Sequence, residues 1–311
     1  MRDTFIRILT KLTTINENII LLTGDLGFGV LDDFSRRFPK NYLNVGVAEQ
    51  NMTGIAAGLA LEGRIVFTYS IANFPTLRCL EQIRNDICYH DLNVNIISIG
   101  GGFSYGQLGM SHHATEDLSI MRSLPNLLTI APTGLWETKE ATKAIINNQS
   151  ASYLRLDKSA GDDLPNDDEN SKYTIGKARL LRKGKDCTII VAGGILEEVI
   201  EAVNFLEKKN ISASIISMHT INPIDKDSIM RAYDQTNAII TVEEHALNGG
   251  LGSAVAECLF DAQLNNSNRK FLRIALENKF SSIVGDQKYL RKIYKMDSKS
   301  IYERILNLLT S

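Results

Sequence analysis

Apolar positions along the chain follow two alternating rhythms. Phe5, Ile6, Leu9 and Leu12 recur at helical spacing across residues 3–15. A short apolar run, Ile19 to Thr23, then ends in Gly24-Asp25 and predicts a buried strand entering a loop. Asn44 to Val47, Ile65 to Thr68, Val94 to Ile99 and Leu127 to Ile130 predict further strands. Helices fall between them: Ala48 to Leu61, rich in alanine and glycine, and Leu77 to Tyr89. Short apolar strands separated by helices imply a parallel sheet covered on both faces.

The rhythm breaks between Asp157 and Lys185. Asp162, Asp163, Asp167, Asp168 and Glu169, with Gly161 and Pro165, predict an exposed connector. A second α/β pattern follows, with strands Cys187 to Ala192, Ser212 to Ser217, Ala238 to Val242 and Phe271 to Ala275. Its helices are Leu196 to Lys208, Ile224 to Ala232, Gly249 to Leu259 and a stripe over 298–310. The expected fold class is α/β with two doubly wound domains, at residues 1–165 and 186–311, joined by a connector at 166–185.

Composition narrows the partners. Hydrophobic residues make up 44% of the 311, charged residues 23%, and the formal net charge is -2. With both signs interspersed, neither nucleic acid nor an anionic membrane is the expected partner. The N-terminus has no apolar run suited to a signal peptide or a membrane span. Cys79, Cys88, Cys187 and Cys258 form no CxxC pair, so reduced thiols in a cytoplasmic protein are expected, and no zinc site.

Candidate chemistry concentrates in Asn44-Val45-Gly46-Val47-Ala48-Glu49, where a strand ends, a carboxylate follows and a small-residue helix begins. The junction of a strand end and a helix start is a favoured ligand position in α/β folds. On its own, Glu49 is equally a first-turn glutamate stabilising the helix dipole.

Four segments in order break that tie. The stretch Asn44 to Ala60 resembles the glutamate-bearing motif shared by transketolases, deoxyxylulose phosphate synthases and 2-oxoacid dehydrogenase β subunits. Gly24-Asp25-Leu26-Gly27 precedes it, as in that group. Gly109 to Asp117, followed by Met121 to Leu127, is similar to transketolase in particular. His219 to Asp225, and Val242 to His245 through Gly249-Gly250-Leu251-Gly252, resemble the transketolase C-terminal domain. The chain thus resembles the C-terminal half of a split transketolase: a pyrimidine-binding domain followed by a smaller transketolase C-terminal-like domain.

The resemblance implies thiamine diphosphate as cofactor, which must lose the proton on its thiazolium C2. Glu49 would hydrogen-bond N1′ of the aminopyrimidine and promote the imino tautomer whose nitrogen takes that proton. Phe74 would stack on the aminopyrimidine, with Ile71 and Asp25 also on the cofactor side; Phe74 is otherwise a core phenylalanine. His112 would contact substrate oxygens, with His113 as the fallback. Arg2 and Arg155 match places where the family grips a substrate phosphate, although a surface salt bridge explains each equally well. The implied reaction moves a two-carbon ketol unit from a ketose, expected to be phosphorylated, to an aldose.

The chain has no Gly-Asp-Gly motif of the kind that binds diphosphate through Mg²⁺. Met1 falls where the pyrimidine domain would begin. A separate N-terminal subunit carrying Gly-Asp-Gly is therefore expected to hold diphosphate and metal, in an α2β2 assembly. Two positions depart from the family. Leu108 replaces an aspartate four residues before His112, and Gly100 to Gly102 replace an upstream histidine. Both normally read substrate hydroxyls, so the sugar is left open and an unusual one is expected. The alternatives are a dehydrogenase β subunit, a deoxyxylulose-phosphate-type synthase, and a catalytically inactive assembly or regulatory protein. The Ser111-His112-His113 and His219-Thr220-Ile221 segments speak against the dehydrogenase, and retention of Glu49 speaks against the inactive protein.

Overall fold

Runs of fully buried aliphatic residues form the centres of two sheets. The structure is a computed structural model describing residues 1–158, 172–263 and 269–310. The first sheet holds β1 (Ile19–Thr23), β2 (Tyr42–Asn44), β3 (Ile65–Ile71), β4 (Val94–Ile99), β5 (Leu127–Ile130) and β6 (Ala151–Leu156). These run parallel in the order β5-β6-β4-β3-β1-β2. The second domain contributes β7 (Arg179–Arg182), β8 (Cys187–Ala192), β9 (Ala213–Ser217), β10 (Thr220–Asn222), β11 (Ala238–Ala246) and β12 (Lys270–Leu276). Its sheet is ordered β12-β11-β8-β9-β7, with β7 antiparallel to β9 and the others parallel. Every residue of β1, β4 and β8 is buried, which requires helices on both faces.

Three expectations change in detail. The strand expected through Val47 stops at Asn44, because Gly46 turns the chain with a φ of 74°. The helix expected over Leu77 to Tyr89 is three pieces: Asn73–Leu77, Leu80–Gln82 and a π-type segment, Ile83–Cys88. Both described flanks of the expected connector carry packed structure: Asp157 is buried, and β7 is an edge strand. Residues 159–171, with the acidic cluster, lie outside the described residues.

The domains share one core. Leu118, Met121 and Leu124 of the first pack in the same cluster as Ile190, Ala192, Met218 and Ile221 of the second. β10 ties them further by pairing antiparallel with β5 of the first sheet.

A buried polar clasp completes the junction and rules out the surface-salt-bridge reading of Arg155. This arginine is 2% exposed. Its Nη2 donates to the Glu244 carbonyl at 2.8 Å, and its Nε lies 3.5 Å from Asp117 and 3.7 Å from Asp157. Asp157 in turn accepts from the Gly194 amide, and Arg291 donates to Glu244. Arg155 is not a surface ion pair: it is buried, with Nη2 on the Glu244 carbonyl and Nε between two aspartates. The same packing explains the glycines at 101 and 102, whereas Gly100 is crowded by Tyr105. A Cβ on Gly101 would sit 1.8 Å from Arg155 Nε.

Removing one partner from a buried charge cluster leaves the others uncompensated. Arg155→Met is therefore expected to cost roughly 3–5 kcal/mol of unfolding free energy. Denaturant titration checks this; a residue reserved for substrate would leave the midpoint unchanged.

Candidate active site

β1 has β2 on one side and β3 on the other, so the chain reverses its direction of travel across the sheet at β1. The loops leaving these three strands meet at their C-terminal ends, the crevice where α/β sheets bind ligands. Helix Glu49–Leu61 follows β2. It buries Glu49, Met52, Thr53, Ala56 and Ala57, a single stripe at i, i+3, i+4, i+7 and i+8. The first residue of that stripe is a carboxylate, and it is only 4% exposed. The helix N-terminus favours the negative charge.

Asn44 holds the two loops that frame this carboxylate. Its side-chain oxygen accepts from the amides of Asp25 and Gly46, both at 3.0 Å. Its amide nitrogen donates to the Asp25 carboxylate at 3.1 Å. Asp25 is thus engaged in the loop clamp.

Phe74 enters from the short helix Asn73–Leu77 after β3 and is half-buried. The neighbouring Asn73 amide donates to the Ser111 carbonyl at 3.3 Å and to the His113 carbonyl. These bonds fasten the histidine loop to the Phe74 turn, so the rings of Phe74 and His112 meet edge to face at 5.1 Å. His112 Nδ1 lies 3.0 Å from the Ser111 hydroxyl. Burial, and then the neighbouring His113 and Arg78, push the His112 imidazole below its ordinary pKa. His113 points elsewhere. It is buried against Phe103, with Nε2 3.2 Å from the Gly106 carbonyl, and it lines an adjoining cleft of about 290 Å³.

The structure brings Glu49, Phe74 and His112 into one neighbourhood; Ile71 is half-buried at the end of β3. Arg2 stands apart on helix Arg2–Thr13, pairing with Asp3 at 2.8 Å and facing Tyr69 and Tyr105. Sequence reasoning missed Arg78. Its Nη1 lies 3.2 Å from Glu49 Oε2, and its guanidinium sits 4.4 Å from the Phe74 ring centroid. The one available signal was its position four residues after Phe74, a spacing at which helical side chains meet.

A buried carboxylate, an aromatic ring and a histidine thus meet at the strand ends where α/β sheets bind ligands. The transketolase pyrimidine-binding domain model matches residues 1–162, and the transketolase C-terminal domain model matches 176–301. A Methanocaldococcus jannaschii protein described as a transketolase C-terminal section is 38% identical over 98% of this chain and 95% of its own length. One of the subunits of the Phocaeicola vulgatus apulose-4-phosphate transketolase is 36% identical over 83% of each chain. A solved split-gene transketolase, an inactive β4 tetramer, superposes with a TM-score of 0.87 at 32% identity, covering 99% of this chain and 97% of that one. The chain belongs to the transketolase family, as a C-terminal section with both of that section's domains.

The depressed His112 pKa is open to direct measurement. An NMR titration of its ring is expected to show a midpoint below the ordinary value of about 6.5. Because Arg78 disfavours the imidazolium, Arg78→Ala is expected to move that midpoint upward.

Proposed function

We propose that this chain is the pyrimidine-holding subunit of a two-chain, thiamine-diphosphate-dependent transketolase, which moves a two-carbon ketol unit from a ketose to an aldose. The observation that carries the reading is Glu49, a buried carboxylate at the start of the helix after β2, joined to the Phe74 ring through the Arg78 guanidinium. The site fits a flat, nitrogen-bearing ring: the Arg78 guanidinium, planar and rich in N–H groups, already touches both Glu49 and Phe74.

When bound, thiamine diphosphate supplies a nucleophilic carbon and an electron sink for breaking the bond beside a ketone. Glu49 would share a proton with the pyrimidine nitrogen and so favour the reactive tautomer. Phe74 would hold the ring by stacking, with Ile71 also on the cofactor side. His112, neutral at physiological pH, accepts and returns a proton at the substrate hydroxyl. Asn73 is a positioning residue that keeps His112 beside Phe74 through the two loop carbonyls.

The reading assigns diphosphate and Mg²⁺ to an N-terminal subunit carrying Gly-Asp-Gly, in an α2β2 assembly located in the cytoplasm. Exposed Phe28, Val47, Leu77 and Met110 on the loops around the site support a covering partner. A phosphorylated sugar as substrate draws support from the Phocaeicola relative, whose name specifies apulose 4-phosphate.

The test is turnover of the reconstituted two-chain enzyme. Glu49→Gln keeps the shape but loses the exchangeable proton, so kcat is expected to fall roughly a hundred- to ten-thousandfold. Phe74→Ala is expected to raise the coenzyme Kd by about three- to tenfold. Unaltered turnover in Glu49→Gln would refute the proposed proton sharing.

A further inference from the structure

Arg78 is the hub of the candidate site. Its guanidinium lies 3.2 Å from the Glu49 carboxylate and 4.4 Å from the centroid of the Phe74 ring, and its charge reaches His112. A guanidinium resembles an aminopyrimidine in the respects these receptors read. Both are flat and delocalised, and both turn nitrogen towards a carboxylate while offering a face to an aromatic ring. We infer that Arg78 occupies the aminopyrimidine seat in the coenzyme-free chain and must leave it for the coenzyme to enter; this rests on the thiamine-diphosphate reading above.

The physics favours a temporary occupant. Glu49 is nearly fully buried, and a buried carboxylate without a partner is costly. In the free chain Arg78 supplies that partner. Its own side chain is 52% exposed, so solvent lies next to the seat and the charge can return to water. It stands at the C-terminal end of the five-residue helix Asn73–Leu77, directly before a break in the helical run. Its departure strands no buried charge, because the proton that Glu49 shares with the incoming ring replaces the guanidinium charge and the ring covers Phe74. An interaction made only in the empty state opposes binding by its full worth.

Removing the occupant therefore tightens binding. In the two-chain assembly with Mg²⁺, Arg78→Ala is expected to lower the thiamine diphosphate Kd roughly three- to tenfold, measured by calorimetry. Millimolar methylguanidinium refills the vacated seat, so it is expected to raise the coenzyme Kd of Arg78→Ala and to leave the wild type unchanged. Arg78→Met, which keeps the bulk without the charge, carries the same expectation if the alanine variant does not assemble. A Kd that is unchanged or higher in these variants, while the wild type binds, overturns this inference alone. If the wild-type assembly binds no thiamine diphosphate, the reading of the function falls and this inference falls with it.

Discussion

A carboxylate withdrawn from water has to be compensated, and the arrangement of this site follows from how that is done for Glu49. The residue opens the buried stripe of a small-residue helix, so the packing that seats the helix also takes the charge out of solvent. Helix dipole and guanidinium hold it there. The loops from β1 and β2 that frame this charge are tied together by Asn44. The aromatic and imidazole rings then arrive through Asn73, which binds the Phe74 turn to the histidine loop.

The second domain acts on the site indirectly. It shares an apolar core with the first, lends it β10, and closes the polar clasp around Arg155. That clasp leaves no room for a side chain at Gly101 or Gly102.

Much of this was legible in the residues because it depends on local order. The central strands of both sheets are short apolar runs, and β1, β4 and β8 fall where those runs predict them. Glu49 was legible because strand, carboxylate and small-residue helix are contiguous. What escaped depends on partners distant in the chain. β10 is three residues long and is a strand only because β5 lies beside it. Arg155 reads as an exposed cation until Glu244, 89 residues away, covers it. Arg78 belongs to no motif, and its role arises only when the turn after β3 folds against the helix after β2. The clamp at Asn44 likewise hid a strand end, because a left-handed glycine two residues later is invisible to hydrophobic pattern.

The most direct test is a crystal structure of the two-chain assembly with thiamine diphosphate and Mg²⁺. The account predicts a Glu49 carboxyl oxygen about 2.6–3.2 Å from a pyrimidine ring nitrogen, with the ring on Phe74 and the phosphates held by the other chain. Glu49 still paired with Arg78 while the coenzyme lies elsewhere, or phosphates and metal held by this chain alone, would contradict it.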